Sequence, residues 1–152
     1  MKHTPEIKQT IVENCKNHLN ERLAGVQEER RRLRKAASVN ADDNMSEAYE
    51  STSQETLNEM SDLKSHLEFL EESAALFNRI DFFRKSDAVA AGALVVTDKL
   101  TFLVGVGGEF KSGNQDIQGI STTSPIYAAM ANKKAGASFT LNARTYTIQE
   151  VL

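Results

Sequence analysis

Apolar residues in the first half of the chain recur at helical spacing. Val12, Leu19, Val26 and Leu33 are seven residues apart, and Cys15, Leu23 and Ala37 fall near the intervening seam. Met60, Leu63, Leu67, Leu70, Ala74 and Phe77 step by alternating threes and fours. The same stepping backwards from Met60 reaches Thr56, Ser53 and Tyr49. Such spacing gathers the apolar positions into one stripe along each helix. The pattern predicts helix over roughly Pro5–Ala37 and again over roughly Ser46–Asn78, each about 45–50 Å long. Between them, Ser38-Val39-Asn40-Ala41-Asp42-Asp43-Asn44 is rich in side chains that bond nearby backbone, which favours turns and helix caps. Ser46 and Glu47 suit the first turn of the second helix, where negative charge meets the positive end of the dipole. Two helices with one apolar stripe each are expected to fold back as an antiparallel coiled-coil hairpin. A single helix of about 70 residues in an intermolecular coiled coil is the alternative.

The second half reads as antiparallel sheet plus one helix. Leu94-Val95-Val96-Thr97 and Leu100–Val106 flank Asp98-Lys99, a plausible hairpin turn. Gly105, Gly107, Gly108 and Gly113 punctuate an expected loop. Ser124-Pro125 is a helix start signal, with serine as cap and proline at the first helical position. Lys133-Lys134 and Gly136 are a stop signal. Two short strands are expected over Ser138–Leu141 and Thr145–Val151, joined near Asn142-Ala143, with Tyr146 and Ile148 on one face. The fold class is therefore α+β: a helical hairpin over 1–79, with its tip at about 38–47, then a small module over 84–152.

Composition narrows the class. The 152 residues are 40% hydrophobic and 26% charged, too apolar for a disordered chain. The single cysteine, Cys15, excludes an intramolecular disulfide framework and a multi-cysteine zinc site, and suits a reducing cytoplasm. No secretory h-region follows Met1, and the longest small or apolar run, Ala88 to Val96, is far short of the roughly 20 residues of a membrane helix. A cytoplasmic protein without a membrane partner is expected. The net charge of −3 provides no global attraction for nucleic acid.

Locally the charge is polarised. Arg30-Arg31-Arg32-Leu33-Arg34-Lys35 places five cations in six residues. No basic residue then occurs from Ala36 to Asp62, whereas Asp42, Asp43, Glu47, Glu50, Glu55, Glu59 and Asp62 all lie there. A solvated helix face with i,i+4 pairs is the ordinary reading of helical charge. Seven carboxylates without counter-charge repel one another, however, and add no local stability. At the tip of a long rod they suit delivery of charge into a cation-rich or metal-bearing cavity. Hard oxygen ligands suit Mg2+, and the arginine band suits phosphate. Other candidates read as structure. Cys15 sits on a helical seam, His18 and His66 lack ligand spacing, and His3 lies in an expectedly frayed terminus. Gly105-Val106-Gly107-Gly108 has no helix immediately after it and is no dinucleotide fingerprint. Ser124 is a helix cap.

Long helical hairpin, acidic tip and small α+β module together resemble the layout of the bacterial Gre-type transcript cleavage factors. The most specific match runs from Gly119-Ile120-Ser121-Thr122-Thr123-Ser124-Pro125-Ile126 through Ala129-Met130 to Lys133-Lys134-Ala135-Gly136. It is similar to that family's C-terminal signature, with Asn132 where the first glycine of Gly-Lys-Lys-x-Gly is usual. The resemblance implies an FKBP-like fold for 84–152. It implies RNA polymerase as partner, with the hairpin entering the secondary channel and the nascent RNA 3′ segment close by. The factor would be no enzyme and hold no cofactor of its own. It would share Mg2+ with the polymerase, whose own RNA hydrolysis it stimulates, and act as a monomer. Prolyl isomerisation, which an FKBP-like fold also raises, lacks a tryptophan to floor an aromatic pocket.

At the tip the sequence departs from the family pattern Asp-Leu-Ser-Glu-Asn-x-Glu-Tyr. Met45-Ser46-Glu47 overlays Leu-Ser-Glu and Glu50 overlays the second glutamate, but Asn44 falls on the aspartate, with Asp43 one residue early. Tyr49 precedes Glu50 instead of following it. The resemblance implies that Asp43, through a one-residue shift, and Glu47 assist the polymerase metal, and that they bind metal only in that complex. Asp42, Asn44 and Glu50 complete the tip. Arg30, Arg31, Arg32, Arg34 and Lys35 are candidates for RNA or channel contact. Two alternatives stand beside this. A channel regulator without cleavage stimulation is favoured by Asn44, and a coiled-coil scaffold that never meets polymerase is the other.

Overall fold

The computed structural model describes residues 3–42 and 46–152, with side chains for all of these except residues 37–42, 46–53 and Thr56. It is an α+β structure with two long helices, a six-stranded sheet and one short helix. The elements are α1 (Pro5–Asp42), α2 (Ser46–Arg79), β1 (Leu94–Thr97), β2 (Thr101–Val104), β3 (Gly108–Ser112), β4 (Gln115–Ile120), α3 (Pro125–Met130), β5 (Ser138–Leu141) and β6 (Arg144–Val151). The chain divides into two compact units. One holds residues 1–19 with 73–152, and the other holds 20–72. The division thus falls within both long helices, away from the boundary between 79 and 84 expected from the sequence.

Helix α1 starts where the sequence signals combine. The Thr4 hydroxyl accepts from the Ile7 amide at 3.2 Å, and Pro5 occupies the first helical position, where its missing N–H costs nothing. Its far end is a correction to the expected turn. Residues 38–42 are helical, so α1 runs five residues past Ala37. Ser, Asn and Asp prefer turns only weakly. Ala36, Ala37 and Ala41, the best helix formers, carry the helix through them. Helix α2 ends at Arg79, one residue later than expected.

In the first unit the sheet order is β3-β4-β2-β1-β6-β5. Only the β2–β4 pairing is parallel. The β1–β2 hairpin turns at Asp98-Lys99 as expected, with Val95 opposite Phe102. Thr97 organises the turn. Its hydroxyl donates to the Leu100 carbonyl (2.6 Å) and accepts from the Leu100 amide (2.9 Å).

The segment expected to be a loop, from Gly105 to Gly113, instead contains β3. It pairs with β4 through a two-residue connection, Gly113-Asn114, with Ser112 opposite Gln115. Few apolar residues betray these strands because only Phe110 of β3 is buried. The final hairpin closes tightly. Asn142 and Ala143 have φ of 52° and 64°, so β6 begins at Arg144, one residue before the expected Thr145. Two successive positive φ values match the right-handed twist of the flanking strands.

Both sheet faces are buried. On one face Val95, Phe102, Val104, Ile120, Phe139, Tyr146 and Ile148 form a core with Val89, Ala93 and Met130, with Ile126, Tyr127 and Ala129 of the α3 region packed against it. Tyr146 stacks on Phe139 (centroids 5.0 Å apart) and meets Phe102 edge-on (5.8 Å). On the other face the Phe110 ring meets Phe77 of α2 edge-on at 5.6 Å, and Phe77 meets Phe82 at 5.4 Å. Asn14 of α1 donates to the Ser112 hydroxyl of β3 at 3.0 Å. Ile11, Val12, Cys15 and Leu19 of α1 are buried in the same unit. His3 is ordered here, correcting the expectation of a frayed end. Its amide and its ring Nδ1 both bond the Glu150 carboxylate of β6 at 2.9 Å.

The second unit comprises residues 20–72, from the later part of α1 and the earlier part of α2. Its seam positions Leu23, Val26, Leu33, Met60 and Leu63 are half-buried, and Leu67 and Leu70 are buried. The stripes read from spacing are thus the sheltered positions of both helices.

Candidate functional site

Asp43, Asn44 and Met45 lie outside the described residues. Asp42, Ser46, Glu47, Tyr49 and Glu50 belong to the helical backbone, but their side chains lie outside the described ones. Asp42 ends α1 and Ser46 opens α2, so Glu47 is in the first turn of α2 and Glu50 one turn further. Among the later carboxylates of the acidic run, Glu55, Glu59 and Asp62 are exposed. No group of three or more His, Cys, Asp or Glu able to hold a metal occurs among the described residues.

The cationic band is described in full. Arg31, Arg32, Arg34 and Lys35 are exposed and Arg30 is half-buried, all on α1. Leu33 interrupts the run because it occupies the half-buried stripe. Arg31 donates to Glu28 at 2.8 Å, one turn earlier, with 78% and 48% of the two side chains exposed. So exposed a pair is worth little and leaves the guanidinium free to exchange partners. The spacing 30/34 and 31/35 is one helical turn, so two cation pairs line adjacent rows of the helix. Such an array can bind phosphates or an acidic wall.

The signature around α3 has a structural account. Ser124 caps the helix, with its hydroxyl accepting from the Tyr127 amide at 3.4 Å and donating to the Ser121 carbonyl at 2.6 Å. Pro125 follows at the first helical position. Ser121 is bonded in turn to Thr123, with the hydroxyls 2.8 Å apart. Ser124 is thus held in a turn, and among the described residues no histidine or carboxylate bonds its hydroxyl. Asn132 explains its own departure from glycine. It sits at φ 64°, the left-handed region that glycine favours and asparagine tolerates best among the other residues. Val89 and residues 132–133 then exchange backbone hydrogen bonds of 2.8 and 2.9 Å that tie α3 to the segment before β1.

Cys15 is fully buried, and burial pushes its thiol up to about 12, which makes it an inert core residue. His66 is exposed and His18 is half-buried. No helix among the described residues is long and apolar enough to cross a membrane. The chain matches no protein-family model, no curated protein and no solved structure.

Proposed function

We propose that the protein is a Gre-like elongation factor that binds RNA polymerase and stimulates cleavage of backtracked RNA. In this reading α1 and α2 fold back as an antiparallel hairpin that enters the secondary channel, and the sheet with α3 is an FKBP-like module docked at the channel rim. One observation carries it: seven carboxylates without a basic residue from Ala36 to Asp62, at the junction of helices 38 and 34 residues long. Coulomb repulsion within that run is unfavourable in the free protein, and a cation bound there relieves it. The capped Ser124-Pro125 helix and the left-handed Asn132 support the reading from the other half of the chain.

The donor chemistry suits Mg2+, which takes carboxylate oxygens. Asp43 and Glu47 would hold it jointly with the polymerase, and the metal would supply an activated water for RNA hydrolysis. Glu50, Asp42 and Asn44 add charge and polarity around that pair. Arg30, Arg31, Arg32, Arg34 and Lys35 would pair with the RNA 3′ segment or with acidic channel walls, an electrostatic contact that salt weakens. The hydrolysis belongs to the polymerase, and the factor works as a cytoplasmic monomer.

Asn44 favours a second reading, a channel-occupying regulator without cleavage stimulation, because an amide is a neutral and weaker ligand than a carboxylate. A cleavage assay separates the two. A backtracked complex of the cognate polymerase, with RNA labelled at the 5′ end, is mixed with the protein and Mg2+. Rapid shortening of the RNA supports the cleavage factor. Slowed nucleotide addition without shortening supports the regulator. Neither effect, with active polymerase, leaves the coiled-coil scaffold.

A further inference from the structure

Among the described residues, Lys8 is the one charged residue that is buried. Only 4% of it is exposed, although it lies on the first turns of α1, an otherwise exposed stretch. It lines a cavity of about 440 Å³ in the first unit. The remaining walls come from Pro5, Glu6 and Gln9 of α1, from residues 83–86 between α2 and β1, and from Val151 and Leu152. That volume is in the range of small-molecule sites.

The lining has two chemical parts. Phe83, Pro5, Val151 and Leu152 provide apolar surface, and Phe83 is 58% exposed, an aromatic ring with no core to fill. Lys8, Arg84 and Lys85 provide three cationic side chains against one acidic side chain, Glu6. Arg84 and Lys85 are exposed, whereas Lys8 is not. Among the described residues Lys8 Nζ forms no ion pair. Asp81 is a charge that favours the ammonium form, but desolvation outweighs it, and the amine is pushed down to about 8. An ammonium partly stripped of water, with no ion pair to compensate, is held at a cost. An anion placed beside it removes that cost, and the apolar walls bury whatever the anion is attached to.

We propose that this cavity binds a small amphipathic anion, a carboxylate or phosphate on a medium-length apolar body, with its head group on Lys8 and its body against Phe83 and Val151. Arg84 and Lys85 steer the anion, and Glu6 disfavours a second negative charge further along the ligand. The site is independent of the acidic run, so the test stands whether or not the protein acts on polymerase.

The experiment is a calorimetric titration of the full chain with octanoate, octyl phosphate and octanol. At least one anion is expected to bind saturably, tenfold or more tightly than octanol, and the tighter anion tells carboxylate from phosphate. Lys8→Met keeps the length and packing of the side chain. It is expected to abolish that anion preference while circular dichroism stays unchanged. Arg84→Gln combined with Lys85→Gln changes only exposed residues and is expected to weaken anion binding severalfold, giving a readout even if Lys8→Met misfolds. Equal binding of octanol and the anions overturns the proposal. So does the absence of saturable binding, or an anion preference that survives in a folded Lys8→Met and in the double variant.

Discussion

Asp98 and Thr147 hold each other from opposite sides of the sheet's central hairpin and its neighbour. The Asp98 amide donates to the Thr147 carbonyl at 3.1 Å, and the Thr147 amide donates to the Asp98 carboxylate at 2.8 Å. The Lys99 ammonium bonds the same carboxylate at 3.3 Å and lies 5.6 Å from the Tyr146 ring centre. The turn of β1–β2 is thereby fastened to β6 where the pairing of these strands shifts register, between Val96 and Thr97.

These bonds, led by the Thr147 amide, hold the Asp98 carboxyl below its ordinary 3.8. A carboxyl lowered in the folded state stabilises above its unfolded value, and that stability is lost as pH falls through the folded value. Asp98→Asn is therefore expected to lower the melting temperature at pH 7, with the difference from wild type shrinking below pH 3.8. Melting curves at both pH values check it, and a constant difference counts against it.

Gly119 of β4 needs its missing side chain. A Cβ there would meet the Val106 carbonyl oxygen and would lie 2.6 Å from Cε2 of Phe110, whose ring also packs on Phe77. The backbone oxygen cannot give way as a flexible side chain can. Gly119→Ala is expected to cost about 1–3 kcal/mol through overpacking, read as a lower urea midpoint.

Ala143 carries the opposite expectation. Its φ of 64° is one an L-residue adopts at a cost of about 1 kcal/mol, and Asn142 beside it is the residue type such turns prefer. Ala143→Gly removes the Cβ conflict and is expected to stabilise by up to about 1 kcal/mol, net of the glycine's greater unfolded freedom. A urea midpoint at or below wild type sinks the idea.

Lys8 predicts a stability that rises in alkali. Its amine is about 8 folded against 10.5 unfolded, so between those values the unfolded chain binds more protons and stability increases with pH. Below pH 8 the full penalty of burying the ammonium applies. Lys8→Met is expected to be more stable than wild type at pH 7, by about 1–3 kcal/mol, with the gap closing towards pH 10. Urea denaturation at the two pH values measures it.

The functional reading makes its own prediction at the tip. Asp43→Asn is expected to abolish stimulated RNA cleavage, because two neighbouring amides at 43 and 44 cannot replace a carboxylate on Mg2+. Cleavage at the wild-type rate in this variant would remove Asp43 from the metal site.

The long helices and the β1–β2 and β5–β6 hairpins were legible because their signals are local and redundant. Val12 and Leu19 mark a stripe, Ser124-Pro125 marks a start, and Val95 and Phe102 lie in short apolar runs on either side of Asp98-Lys99. The β3–β4 pair was not legible from hydrophobicity, because its residues are polar apart from Phe110, Ile117 and Ile120. A Gly113-Asn114 dipeptide between two short runs was the available signal. The end of α1 was misjudged because Ser38, Asn40 and Asp42 announce a turn that the surrounding alanines override. The Lys8 cavity could not be read at all. It needs Lys8, residues 83–86 and Val151 brought together from three distant stretches, although Lys8, four residues before Val12 and seven before Cys15, falls on the apolar stripe and its own burial follows from that position.

The first compact unit is assembled from residues 1–19 and 73–152, and its fastenings span the chain. Asn14 meets Ser112 across 98 positions, and His3 meets Glu150 across 147. A ribosome releases these partners at opposite ends of synthesis. The sheet waits for β6, since β1 has β2 on one side and β6 on the other. The early helix therefore waits with Ile11, Val12 and Cys15 uncovered until the strands that close these long loops have been made. A nascent chain stalled before Arg144 would present that apolar stripe to chaperones, and pairing of β6 with β1 would hide it.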